Sequence, residues 1–160
     1  MVSLTAVTGF QVLALILFAL ARGIDFNPGP TGLAWFVPAA FLLAVGMYGV
    51  AETLANRVPK QEEYIARLPA IAIVPWFLAG ALFPISALPG FLTWVARFLP
   101  LTHGLALMRY GLLGDASGLE SIWSLGSDTA MAALSLGVVA LFALALTGIS
   151  IRVFARAALR

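Results

Sequence analysis

The chain has no cysteine and a single histidine, His103. A disulfide framework, a thiolate metal site and a cysteine nucleophile are therefore unavailable, and one imidazole cannot build a histidine-rich metal centre. Charge is scarce too: nine Lys and Arg and seven Asp and Glu make up 10% of the 160 residues, while 62% are hydrophobic. Soluble proteins carry about 25% charged residues, and so few charges cannot clothe this much apolar material in water. A water-soluble globule is excluded, and the lipid bilayer becomes the main partner. The net charge of +2 is scattered without a dense basic patch, so nucleic-acid binding has no electrostatic footprint. Lys60 is the only lysine and stands in no Gly-x-x-x-x-Gly-Lys-Ser/Thr loop, so no ATP or other cofactor is expected on this chain. An intramembrane enzyme is disfavoured, because there is no Gly-x-Ser-x-Gly and no pair of acids within an apolar run.

What the chain does have is four apolar runs, each long enough to cross a hydrocarbon core of roughly 30 Å as a helix of about 20 residues. They lie at about 4–22, 32–53, 68–86 and 128–152. Transmembrane barrel strands alternate apolar and polar residues, whereas these runs are apolar on all sides, so the expected class is an all-α integral membrane protein with a single domain over residues 1–160. Ala19-Leu20-Ala21 looks like a signal-peptide cleavage site, but no Lys or Arg precedes the apolar core, and a retained helix is the expectation. Basic residues are retained on the cytoplasmic side. With both termini inside, Arg57, Lys60, Arg67, Arg152, Arg156 and Arg160 are cytoplasmic, against Arg22, Arg97 and Arg109 outside.

The polar connection at about 54–67 contains Pro59, then Glu62 and Glu63, a pattern that favours the start of a short helix. Glu63 and Arg67 stand at i and i+4 and can pair. This segment is either a solvated connector or a contact surface for a cytoplasmic partner. Arg152, Arg156 and Arg160 share one helical face, which suits either anchoring to anionic headgroups or docking. Gly46, Gly49, Ala133 and Gly137 permit close approach of helices.

From Leu68 to Ala96 there is no charge, and one helix over that stretch would measure about 43 Å, more than the membrane needs. Pro84 and then Pro89-Gly90 interrupt it, so the helix is expected to end near Phe83 to Ser86. Leu88 to Phe98 is too apolar for a solvent loop and too short to span. A second break at Pro100 starts another short apolar helix bearing His103 and Arg109. Ionisable groups at such depth face protein or a water-filled cavity. The expectation is a re-entrant or interfacial helical hairpin over about 88–114, between spans three and four, with Trp94, Tyr110 and Trp123 in an interfacial aromatic belt. Arg109 is either a snorkelling residue or an internal pairing group; His103 reads as a helix-cap or buried hydrogen-bonding residue more readily than as a proton relay.

These segments carry a resemblance. Phe77-Leu-Ala-Gly-Ala-Leu-Phe-Pro84, Leu88-Pro89-Gly90-Phe91-Leu92, Ala96-Arg97-Phe98-Leu99-Pro100-Leu101-Thr102-His103 and Leu107-Met108-Arg109 with Gly114 resemble the type-2 membrane domain family of ABC transporter permeases, the membrane subunits of drug, polysaccharide and lipo-oligosaccharide exporters. The shared features are a helix ending in Gly-x-x-x-Pro, a Leu-Pro-x-x-Leu turn, an Asn-Pro-Leu-Thr or Leu-Pro-Leu-Thr step and a following Arg; Leu99 stands where many members have Asn. The resemblance implies a permease subunit of an ATP-driven exporter in the plasma membrane, pairing with a second permease chain, like or unlike, and driven by a cytoplasmic ATP-binding subunit that holds the ATP. It further implies an outer gate built from Phe83, Pro84, Leu88, Pro89, Gly90, Pro100, Thr102, His103 and Arg109. Arg57, Lys60, Glu63, Arg67, Arg152 and Arg156 would face the ATPase, and the substrate would be amphipathic or apolar. Family members usually have six spans, and this chain resembles the last four, as a fragment, a split subunit or a truncated product would. The alternative is a small non-transporting membrane scaffold or regulatory subunit.

Overall fold

The computed structural model describes residues 2–24, 26, 29–58 and 60–158, with side chains described from residue 6 to residue 155 except 8 and 29. Pro59 and Arg160, and the side chain of Arg156, lie outside the described residues. Among those described, every regular element is helical: α1 (Val2–Ala21), α2 (Gly29–Arg57), α3 (Gln61–Leu78), a 3-10 turn (Ile85–Ala87), α4 (Gly90–Phe98), α5 (Pro100–Leu113), α6 (Ser117–Trp123) and α7 (Asp128–Ala158).

Among the described residues two helices are long and apolar enough to cross a membrane, over Pro30–Arg57 and Asp128–Ala155, and α4 and α5 form an apolar pair bent by 79°, so two or three of the four expected spans are seen by length and composition. The surface is inverted relative to a soluble protein. Phe10, Leu15, Phe91, Leu141 and Leu144 are each more than 65% exposed, an apolar exterior that only lipid or other membrane helices can cover.

α2, α5 and α7 form the core of the bundle. With lipid outside, burial drives no association between helices, so close backbone approach has to supply the packing. At Gly49 a Cβ would lie 3.0 Å from the Leu146 carbonyl, and at Gly111 one would lie 2.7 Å from the Gly32 oxygen. Gly46 also packs on α7, whereas Gly137 meets nothing within 4 Å and Ala133 is exposed.

These contacts fix direction. Gly46 faces Ala143 and Gly49 faces Leu146 and Thr147, so α2 and α7 run parallel; Gly104 meets Leu43 while Gly111 meets Gly32 and Phe36, so α5 runs antiparallel to α2. α3 starts beside the Arg57 end of α2. It finishes just before Gly80, whose carbonyl accepts from Arg109 Nη2 at 3.4 Å, two residues before Gly111 at the Gly32 end. The chain therefore traverses the bundle along α3, descends again to the level of Pro100 and returns along α5 to the end it entered from. A bent helix pair thus stands where the re-entrant or interfacial hairpin is expected.

The end of α3 differs from expectation. The helix stops at Leu78, not near Phe83 to Ser86. Gly80 takes φ +82, a left-handed conformation that glycine adopts without a Cβ clash, and the chain turns there before reaching Pro84. Pro69 and Pro75 sit inside α3 and Pro38 inside α2 without ending either helix. Helical structure also extends into the expected polar loop, with α2 reaching Arg57 and α3 beginning at Gln61. The acids Glu62 and Glu63 occupy the first turn of α3, where the helix dipole favours them.

Candidate functional site

The bend between α4 and α5 is the chemically richest part of the molecule. Leu99 is extended between the two helices, and Pro100 opens α5 at its first position, where the missing N–H costs nothing. This geometry carries Thr102 and His103 inward until both are about 97–98% buried.

His103 is held from both ring nitrogens. Nε2 lies 2.8 Å from the Arg97 carbonyl oxygen and Nδ1 lies 3.1 Å from Ser135 Oγ. A carbonyl can only accept, so Nε2 carries the proton and donates; Nδ1 of the neutral ring then accepts from the Ser135 hydroxyl. Ser135 Oγ in turn accepts from the Trp123 indole N–H at 2.8 Å. The result is a closed chain of donors, from Trp123 on α6 through Ser135 on α7 and His103 on α5 to the backbone of α4. Every member is satisfied, and buried networks of this kind fix one arrangement of the elements they join. The His103 and Trp123 rings pack with centroids 5.5 Å apart.

Two arginines extend these ties. Arg97 Nε donates to the Ser121 carbonyl at 3.2 Å, linking α4 to α6. Arg109, half-buried, joins α5 to the turn after α3 through Gly80 and forms no ion pair among the described residues. Beyond the end of α5, the Asp115 carboxylate accepts from the Ser117 N–H at 3.0 Å; hydrogen bonds from Ser117, with a smaller contribution from Arg109, hold its carboxyl below the ordinary carboxylate range.

Of the nine residues expected at an outer gate, Thr102, His103 and Arg109 converge on the bend and its surroundings. Pro84 lines a cavity beside them, and Leu88 packs partly against the core. Pro89 precedes α4 as its cap residue and Gly90 begins it, with open space around the glycine. Phe83 lies in the turn between Gly80 and Pro84. At the opposite end, Glu63 pairs with Lys60 at 3.8 Å and with Arg67 at 3.7 Å, all largely exposed. Arg57 ends α2 and exposed Arg152 lies on the last turns of the parallel α7, so both belong to that same end.

Sequence reasoning placed Trp123 and Tyr110 in an aromatic belt. Trp94 is exposed as a belt residue should be, but Trp123 is tied inward to Ser135, and Tyr110 packs against the core. Ser135, Arg97, Ser121 and Glu52 are not among the site residues that the sequence points to. On α2, Glu52 accepts hydrogen bonds from Tyr48 and from Asn56. A tyrosine four residues before a glutamate on one helical face is the signal that pairs the first two.

Two of the cavities along α5 contain Arg109. One, of about 250 Å³, lies between the turn after α3, α5 and α6, and its lining includes Gly80, Ser86, Thr102, Arg109, Ser117 and Ser121. The other, of about 880 Å³, is an apolar cleft between α1, α2, Trp76 and α5, with Arg22 and Arg109 among its walls.

Comparison with known proteins gives three findings. The family model described as ABC-2 type transporter matches residues 2–113, which take in α1 to α5. Nodulation protein J of Rhizobium meliloti (strain 1021) is 30% identical over 83 residues, 52% of this chain and 32% of that protein, so the matched part spans about a third of the relative's length. No solved structure matches.

Proposed function

The chain belongs to the ABC-2 type transporter family, and from that premise we propose that it is the permease subunit of an ATP-driven exporter. The supporting observation is that the family match takes in the complete α4–α5 pair with His103 and Arg109. It is a multi-pass membrane protein, and its place in this reading is the plasma membrane with both termini cytoplasmic.

Work is divided between the two ends of the bundle. Arg57, Lys60, Glu63, Arg67, Arg152 and Arg156 form the end that meets a cytoplasmic ATP-binding subunit, since basic residues concentrate there. ATP is bound and hydrolysed by that partner, and a second permease chain completes the path. The α4–α5 pair acts at the other end as an outer gate, tied to α6 by Arg97 and Ser121 and to both α6 and α7 by the donor chain through His103 and Ser135. Nucleotide binding biases two arrangements of this unit. The substrate is amphipathic or apolar, in keeping with walls that offer few polar groups.

Purification of the tagged chain from native membranes in mild detergent, followed by mass spectrometry, tests this reading. A nucleotide-binding subunit in stable amounts is expected. A chain that emerges with no such subunit contradicts it.

A further inference from the structure

Arg109 and Leu105 line both cavities, so the smaller cavity and the apolar cleft adjoin at these two side chains. The Thr102 hydroxyl, on a residue only 3% exposed and lining the smaller cavity, has no hydrogen-bond partner among the described residues. A buried hydroxyl without a partner is unfavourable unless something else supplies one. Three serines share the cavity, and among the described residues Arg109 makes one long hydrogen bond, to Gly80. Among the described residues Asp115 is a nearby acid, and its carboxylate is engaged by Ser117 instead of forming an ion pair with Arg109. A cation with free donors, an orphaned hydroxyl and an adjoining apolar cleft together match one kind of molecule.

We propose that the two cavities form a single site for an anionic amphipath drawn from the surrounding bilayer. Its oxyanion head, a phosphate or a carboxylate, is held by Arg109 and Thr102, and its hydrocarbon chain lies in the cleft against Trp76. Guanidinium suits such oxyanions because its donors can engage two oxygens at once. Arg22, which also lines the cleft, adds positive charge. The proposal rests on the permease reading only for what bound amphipath does; binding itself is a property of this chain.

The test uses the full chain purified in a neutral detergent, with 12-bromododecyl phosphate as probe and quenching of tryptophan fluorescence as readout. Saturable quenching is expected, reduced at least tenfold in affinity by Arg109→Gln and partly restored by Arg109→Lys. Thr102→Val removes a hydroxyl with no protein partner, so it should weaken binding about fivefold while leaving the thermal midpoint unchanged or higher. That combination does not arise from a merely structural threonine, and it stands even if Arg109→Gln fails to fold. Trp76→Phe should remove most of the quenching. Inorganic phosphate should compete only at far higher concentration, which separates a lipid-like ligand from a free anion. Equal affinity in wild type, Thr102→Val and Arg109→Gln, equal affinity for dodecyltrimethylammonium, or equal competition by inorganic phosphate would overturn the proposal. Any of those results leaves the permease reading intact if an ATPase still co-purifies.

Discussion

Ser135 Oγ stands 3.1 Å from His103 Nδ1 although 32 residues separate them, and it takes the Trp123 indole N–H on its other side. One hydroxyl thus joins α5, α6 and α7. Because it both donates and accepts, its loss leaves two buried groups without partners.

Ser135→Ala should therefore destabilise the protein by about 1–3 kcal/mol, the usual range for stranding a buried polar group. A lowered thermal midpoint in mild detergent, with a change in the fluorescence of Trp123, is the expected reading. An unchanged midpoint would mean that the donor chain does not hold the helices together.

Gly111→Ala places a Cβ 2.7 Å from the Gly32 oxygen. Backbone cannot move aside as a side chain can, so a loss of about 1–3 kcal/mol is expected from overpacking of α2 against α5. Gly137→Ala, in open space within α7, should be neutral or stabilise by up to about 1 kcal/mol through helix propensity. Unfolding midpoints of the two variants should move in opposite directions or differ by the full cost of the first.

The turn after α3 separates two residues that sequence rules confuse. Gly80→Ala should cost about 1–2 kcal/mol because a left-handed φ of +82 disfavours a Cβ. Pro84→Ala should leave the end of α3 where it is, with labelling of residues 87–98 unchanged. An extended α3 in the proline variant would show that Pro84 imposes the break after all.

Asp115 gives a pH prediction. Its carboxyl is depressed in the folded protein by Ser117, so it contributes stability above the unfolded value of about 3.9, and that contribution disappears as pH falls through the folded value. Asp115→Asn should flatten the dependence of the thermal midpoint on pH below about 4. The effect is small, since the group is only half-buried and water screens it. Identical acid profiles would remove Asp115 from the account.

The architecture was legible where composition and length decide it. Apolar runs without charge give α2 and α7, and Pro100 marks the bend because a proline starting a helix after an extended residue is a local event. The acids after Pro59 mark a helix start, but the helix they open is not a short one within the loop: it runs on as α3 to Leu78. The end of α3 was misplaced because proline was treated as the stop signal, whereas Pro69 and Pro75 are accommodated within the helix and Gly80 makes the turn. His103 was readable as a buried hydrogen-bonding residue, but its partner was not. Ser135 sits in an apolar run and meets His103 only because α7 returns beside α5, which no local pattern records. Trp123 was misread for the same reason: an indole near a membrane surface looks alike whether it faces lipid or a serine.

The account depends on α4 and α5 returning to the side they entered from, so that Arg57, Lys60 and Arg152 share one end for an ATPase. The cysteine-free chain allows a direct test with single substitutions Lys60→Cys, Ala87→Cys and Leu125→Cys, probed in sealed native vesicles by a membrane-impermeant thiol reagent. Ala87→Cys and Leu125→Cys should be labelled from one side and Lys60→Cys from the other. Labelling of Ala87→Cys and Leu125→Cys from opposite sides would mean that the pair crosses the membrane, placing the α7 tail away from Arg57 and contradicting the account.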